Sequence, residues 1–167
     1  MKIKRIALCG VLAALSVLFS YLEFLVPFSV GIFGVKLGLA NLVTVFALYT
    51  LGPGYAAPIL FFRILITALL FSNPAAWLYS VCGGLLSLAG MTVLRQNDAF
   101  SVRGVSICGG VLHNIGQLLC AAFLLDMSGV MWYLPVLLIS GALAGFVIGL
   151  LADLLIKKLK GVVKWIE

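Results

Sequence analysis

Residues 37–71 read LGLANLVTVFALYTLGPGYAAPILFFRILITALLF, two apolar runs joined by Gly-Pro-Gly. Glycine and proline interrupt helices, so the stretch predicts two helices with a tight turn between them. Arg63 lies near the middle of the second run. A charge at membrane depth is costly, so it normally faces the protein interior and marks a ligand or ion path. The stretch therefore predicts a helical hairpin in a membrane, with a candidate functional residue inside it.

The composition of the whole chain extends this prediction. The 167 residues are 64% hydrophobic and 10% charged, and the mean hydropathy is +1.27. A soluble core of this size could not hide so much apolar surface, whereas about six spans of roughly 20 residues fit the length. We predict an all-α polytopic membrane protein that forms a single transmembrane domain over residues 1–167. Its six helices are expected near residues 6–22, 37–51, 55–71, 75–94, 104–125 and 132–156.

Basic residues are concentrated at the two ends of the chain and in one loop. The loop holds Arg95 and Arg103, while the loops around Asn73 and Asp126 carry no basic residue. The positive-inside rule therefore predicts that both termini are cytoplasmic. The net charge of +6 is assigned to orientation and to contacts with anionic membrane lipids, and not to nucleic acid. The basic residues at the ends are Lys2, Lys4, Arg5, Lys157, Lys158, Lys160 and Lys164.

Residues 24–35 are hydrophobic but contain Pro27, Gly31 and Gly34. About a dozen residues are too few to span a bilayer as a helix. Irregular backbone at membrane depth is tolerated only against protein or water. We predict an outer loop or re-entrant flap that covers an outward-facing cavity.

The polar residues inside the spans form a series graded in depth. Arg63 lies about eight residues into its span, or roughly 12 Å at 1.5 Å per residue, close to the midplane. His113 is expected about equally deep on the fifth span, with Gln117 one turn further out on the same face. Basic residues outnumber acidic ones in this set, so the expected ligand is a small anion. The predicted substrate-binding residues are Glu23, Lys36, Asn41, Arg63, His113 and Gln117.

Some members of this set have a plainer alternative role. Lys36 could extend to the outer lipid headgroups. Arg63 could form a structural salt bridge with Glu23. His113 could satisfy a neighbouring polar group without touching a ligand.

Other polar residues are weighed in the same way. Asn41 and Gln117 could hydrogen-bond between helices instead of binding a ligand. Asn114 faces away from the His113 stripe, so we predict that it links helices. Asp153 and Lys157 are four residues apart, and we predict a local helical pair.

Small residues recur at helical spacing on two spans. Gly141, Gly145 and Gly149 repeat every four residues, and Gly10 with Ala14 forms a further pair. Such faces permit close helix approach. The sequence favours internal packing for the three glycines of the last span. The alternative is a partner interface, for which all five residues are candidates.

Several kinds of chemistry find no support in the sequence. No GxxxxGK[ST] phosphate loop and no DDxxD run is present, so ATP hydrolysis by that route and isoprenyl transfer by this chain alone are not expected. We predict no catalytic residues, no cofactor and no metal site. The four cysteines (Cys9, Cys82, Cys108, Cys120) lack metal-ligand spacing, and we interpret them as packing thiols that form no disulfides.

Four segments resemble a known family. They are KLGLAN (36–41), RILITALLF (63–71), YSVCGGLLS (79–87) and SVRGVSICGGVLHNIGQ (101–117). They look like the Gx transporter family, also labelled heptaprenyl diphosphate synthase component I, over nearly the whole chain. That family resembles the substrate-binding S components of energy-coupling factor (ECF) transporters, which have six helices and a pocket toward the outside. The resemblance implies a bacterial cell membrane protein, and Gly10-xxx-Ala14 approximates the AlaxxxAla motif with which S components dock their coupling subunit.

These observations favour one function and leave two alternatives open. The first is a nonenzymatic, membrane-embedded uptake subunit for a small anionic, vitamin-like or prenyl-like molecule, without its own ATPase and with an ECF-type coupling module as partner. Some family members are associated with flavin-based extracellular electron transfer, which implies a noncatalytic partner of an electron-transfer membrane protein as the second. The family label implies the third, a membrane component associated with heptaprenyl diphosphate synthesis.

Overall fold

The computed structural model describes residues 2–25, 38–71, 74–125, 132–159 and 161, and within these ranges it is helical without strands. Five of its helices are long and apolar enough to cross a membrane. The all-α polytopic fold predicted from the sequence is therefore confirmed. The helices are α1 (Lys2–Leu25), α2 (Leu39–Thr50), α3 (Pro53–Phe71), α4 (Pro74–Arg95), α5 (Val102–Leu125) and α6 (Leu134–Lys158).

The helix ends agree with the predicted spans to within a few residues, except for the first. Helix α1 begins at Lys2 and continues to Leu25, so Phe24 and Leu25 are helical and do not belong to a flap. The rest of the predicted flap, together with Lys36, lies outside the described residues. The turn between α2 and α3 forms as the sequence predicts. Gly52 has φ 91°, and both its N–H and that of Leu51 donate to the Ala47 carbonyl oxygen.

Helix α2 is short and lies at the centre of the packing. It contacts α1, α3 and α6, and its residues 42–48 are all buried. Twelve residues at 1.5 Å each give about 18 Å, well short of the roughly 30 Å of the hydrocarbon core. One of the six predicted membrane helices is thus a short core helix, covered by the longer ones. Its largely apolar sequence fits burial on most sides.

Glycines bring α4, α5 and α6 into backbone contact. A β-carbon on Gly145 would lie 2.6 Å from the Ser106 carbonyl oxygen, and one on Gly149 would lie 2.8 Å from the Arg103 Cα. The Gly141 position is equally closed, 2.7 Å from the Gly110 carbonyl oxygen. The glycine face of α6 therefore packs against α5 of the same chain, the arrangement the sequence favoured. As α5 covers this face, the three glycines are not open to a partner in this structure.

The small pair on α1 has the opposite environment. Gly10 and Ala14 are exposed, and a β-carbon on Gly10 would meet nothing within 4 Å. Of the five residues considered for a partner interface, these two remain uncovered by the described part of the chain.

Polar contacts link the same helices. Asn114 Nδ2 donates to the Leu137 carbonyl oxygen over 2.7 Å, which confirms its predicted role between α5 and α6. Asp153 pairs with Lys157 at 2.9 Å, as the spacing predicts, and also with Arg103 at 3.4 Å. The second contact was not predicted, because residues 50 positions apart carry no local signal of proximity.

Candidate functional site

The Gly83-Gly84 doublet of α4 packs against the two helices, α3 and α5, that carry Arg63 and His113. A β-carbon on Gly84 would lie 2.9 Å from Ile64 Cδ1 of α3. One on Gly83 would lie 2.7 Å from the His113 carbonyl oxygen of α5. Without side chains here, α4 approaches both neighbours closely. Arg63, the residue before Ile64, is therefore brought to the level of His113.

Arg63 is buried, with 9% of its surface exposed. Its guanidinium lies within electrostatic range of the Glu23 carboxylate and of the His113 ring. No hydrogen bond or ion pair joins the guanidinium to any other part of the described chain. The predicted alternative of a structural salt bridge with Glu23 is thus not formed as a direct contact. A buried charge without a contact partner is unfavourable and needs an explanation.

His113 and Gln117 lie one turn apart on α5, as predicted, and interact with each other. The Gln117 amide donates to His113 Nε2 over 3.1 Å. In the neutral ring the proton is then on Nδ1. The Gly83 carbonyl lies near this ring but outside hydrogen-bonding geometry, so buried Nδ1 has no partner among the described residues. The site therefore contains an unused N–H donor besides the Arg63 guanidinium.

Glu23 has a contact that the sequence did not predict. Its Oε1 accepts a hydrogen bond from the Leu39 backbone N–H over 2.7 Å. Helix N-termini present unpaired N–H groups with partial positive charge, and carboxylates stabilise them. Gly38, just before α2, has φ 77° and offers no side-chain cap. Glu23 of α1 thus performs the capping that α2 lacks locally.

The remaining predicted site residues are less closely connected to Arg63. Asn41 is half-buried in the first turn of α2, where its backbone N–H donates to the Gly38 carbonyl oxygen. No described contact joins its side chain to Arg63 or His113. Lys36 lies outside the described residues. The structure therefore brings together Glu23, Arg63, His113 and Gln117, in the order α1, α3, α5.

The chemistry of this set suits the binding of an anion. Two nitrogen donors, the charged Arg63 guanidinium and His113 Nδ1, lie beside the Glu23 carboxylate, the Gln117 amide and apolar side chains. Such a site stabilises a desolvated anion, because electrostatic interactions strengthen as water is excluded. Within the described ranges, no three His, Cys, Asp or Glu side chains are grouped as a metal centre would require. The sequence predicts close helix packing at the Gly83-Gly84 doublet, but it does not indicate that this packing lies beside the candidate site.

A family model described as heptaprenyl diphosphate synthase component I matches residues 12–155, which is most of the chain. The family resemblance noted from the four segments is thereby confirmed. No curated protein and no solved structure matches the chain.

Proposed function

The chain belongs to the heptaprenyl diphosphate synthase component I family, and we propose that it is a membrane-embedded binding subunit for a small anionic molecule. The observation that carries this proposal is Arg63, a buried residue whose guanidinium makes no hydrogen bond or ion pair with the described part of the chain. A protein tolerates such a charge where a ligand supplies the missing partner. Nδ1 of His113, which makes no close hydrogen bond within the described ranges, supports the same anionic ligand.

The surroundings of Arg63 favour a ligand with an apolar body. Ile59, Leu60 and Ile64 of α3 are buried around its level, and the Gly84 contact closes α4 over them. The Glu23 carboxylate interacts electrostatically with Arg63, but it also caps α2. The ligand is accordingly a carboxylate or phosphate attached to an apolar chain or ring.

We further propose that the bound anion is taken up from outside the cell. With both termini in the cytoplasm of a bacterial cell, the Glu23 end of α1 faces outward and the ligand enters from outside. The exposed face of Gly10 and Ala14 is then available to a coupling module, which would supply the energy that this chain has no phosphate loop to generate. The S-component likeness inferred from the sequence motivates this arrangement.

A second candidate is favoured by the family description, which names a synthase component. In this candidate the chain is the noncatalytic membrane component, and the anion is the diphosphate of a prenyl chain. The chemistry at Arg63 is shared between the two candidates, since a prenyl diphosphate also joins an anionic head to an apolar body. They differ in the ligand and in the partner protein.

One purification experiment tests the proposal and separates the candidates. Wild-type protein, Arg63→Met and the control Arg95→Met are purified from membranes under mild conditions, and retained small molecules are identified by mass spectrometry. The Arg95 guanidinium has a partner of its own, because its Cζ lies over the Tyr49 ring, 5.5 Å from the ring centroid. We expect an anion that wild type and Arg95→Met retain and Arg63→Met loses.

The identity of that molecule decides between the candidates. A vitamin-like anion supports uptake, and a prenyl diphosphate supports the synthase component. Retention of a protein partner without any molecule that depends on Arg63 would contradict both and favour the electron-transfer alternative.

A further inference from the structure

Two of the four cysteines are neighbours across the seam between α4 and α5. Cys82 immediately precedes Gly83, and a β-carbon on Gly116 would lie 2.7 Å from the Cys82 carbonyl oxygen. Cys120 is one turn beyond Gly116 on α5. Residues one turn apart share a helix face, so the Cys120 side chain lies on the face of α5 that contacts Cys82. All four cysteines are free and half-buried.

Helix geometry explains why these thiols converge. Gly83 faces His113 and Gln117, whereas Met91 faces Gly109, so α4 and α5 run antiparallel. Side chains on a helix lean toward its N-terminus. On antiparallel neighbours they lean in opposite directions, so the Cys82 side chain leans toward the level of Cys120 and the Cys120 side chain toward that of Cys82.

The close backbone approach makes a covalent link feasible. A disulfide needs Cα atoms about 4.4–6.8 Å apart, which ordinary helix packing at 8–10 Å between axes rarely provides. The glycines at positions 83 and 116 bring this seam closer, with the Gly116 β-carbon position 2.9 Å from the Gly83 Cα. No local pattern indicates the pair, because the two cysteines are far apart along the chain and belong to no CxxC motif.

We propose that Cys82 and Cys120 form a dithiol site that reacts reversibly with low-molecular-weight disulfides to give an intramolecular disulfide. One thiol attacks the reagent RSSR, its sulfur–sulfur bond breaks, and one RSH leaves with the proton. The second thiol then attacks the mixed disulfide, and the second RSH leaves. The two cysteines are oxidised by two electrons in total, and the reagent is reduced by the same two.

The bond would link α4 to α5 one turn from Gln117, on the seam that also carries His113. Oxidation would therefore fix the two helices beside the candidate site relative to each other. The proposal rests on the cysteine pair alone and does not depend on the proposed function.

The test uses a lipid-soluble disulfide, 2,2′-dipyridyl disulfide, on the purified full chain in detergent. Cys9 and Cys108 are replaced by Ala, so that the pair is isolated. We expect two pyridine-2-thione molecules released per protein, no pyridyl group retained in the intact mass, and a peptide linking Cys82 to Cys120. Dithiothreitol should restore two alkylatable thiols.

The single variants provide the matched controls. With Cys82→Ala or Cys120→Ala added, the remaining thiol should release one thione and retain one pyridyl group. A pyridyl group that persists on either cysteine of the isolated pair would overturn the proposal. So would a disulfide between two protein molecules, or an absence of reaction in folded protein that reacts fully once denatured.

Discussion

The Glu23 carboxylate accepts a hydrogen bond from the Leu39 backbone N–H, with 2.7 Å between Oε1 and N. This contact joins the end of α1 to the start of α2. The same carboxylate lies within electrostatic range of Arg63. Because the partial positive charge of the α2 N-terminus also attracts it, Glu23 is shared between a helix end and a buried cation. It contributes to both the packing of α2 and the charge balance of the candidate site.

Substitutions of Glu23 should separate these two effects. Glu23→Gln keeps an acceptor oxygen for the Leu39 N–H but removes the negative charge near Arg63. We expect a small loss of thermal stability, because buried Arg63 loses its neighbouring negative charge, and a rise in affinity for the anion. Glu23→Ala also removes the acceptor, and its loss should resemble that of a helix cap, about 0.5–2 kcal/mol.

Thermal unfolding and anion titration of both variants give the readouts. If Glu23→Gln bound the anion more weakly than wild type, Glu23 would instead contact the ligand, as the sequence predicts.

The glycine faces of α6 and α1 should respond differently to added bulk. Gly145→Leu forces a side chain against the α5 backbone, where a β-carbon alone would be 2.6 Å from the Ser106 carbonyl oxygen. Overpacking of this kind costs about 1–3 kcal/mol, occasionally more, so the variant should unfold at lower temperature and lose ligand binding as well. Gly10→Leu is the matched control, because its position is open.

Gly10→Leu should leave the stability and ligand binding of the isolated protein unchanged. If Gly10 and Ala14 dock a partner, co-purification of that partner should fail in this variant alone. Equal thermal stability of Gly145→Leu and wild type would show that the α5–α6 contact is looser than the structure indicates.

Two amide side chains on α5, Asn114 and Gln117, allow a second matched comparison. Asn114 bonds the α6 backbone, whereas Gln117 bonds His113 beside Arg63. Asn114→Leu should lose about 0.6 kcal/mol, and at most roughly 1.7 kcal/mol, of stability while retaining anion affinity. Gln117→Leu should weaken anion binding instead, since it releases the His113 ring from its fixed orientation. Thermal shifts and titrations of the two variants, compared side by side, would refute the assignment if the pattern were reversed.

Orientation in the membrane is predicted from the basic residues around Arg95 and at the chain ends. A single cysteine at position 97, in a chain whose own cysteines are replaced, should be protected from an impermeant maleimide added to intact cells. A cysteine at position 73 should be labelled. Labelling at 97 from outside would show that the topology is the reverse of the predicted one, and it would contradict ligand entry from outside.

The fold was largely predictable because lipid imposes simple rules on sequence. Breaks such as Gly52-Pro53 interrupt apolar runs, and a helix is the structure that satisfies its own backbone in lipid. The sequence could not show that α2 would be buried, since apolar residues suit lipid and protein interior equally well. That difference depends on which helices surround it, and no local pattern records this.

The candidate site was predictable in part. Arg63 and His113 were identified because polar groups inside apolar spans are rare and costly. The relation of Glu23 to the α2 backbone was not, since it joins a side chain to an N–H group 16 residues away. The Cys82 and Cys120 pair was missed for a similar reason. Proximity across antiparallel helices depends on their register, which the glycines fix through packing.

The central claim is that Arg63 is kept buried for an anionic ligand and not for the stability of the fold. The most direct test measures both properties of Arg63→Met: its thermal stability without ligand, and its Kd for the anion that co-purifies with wild type. Because Arg63 makes no hydrogen bond or ion pair with any described residue, replacing it should leave stability equal or higher. Binding should weaken by about 2–4 kcal/mol, or roughly 30- to 700-fold in Kd. An unchanged Kd in a folded, monodisperse variant, or a large loss of stability without ligand, would contradict the account.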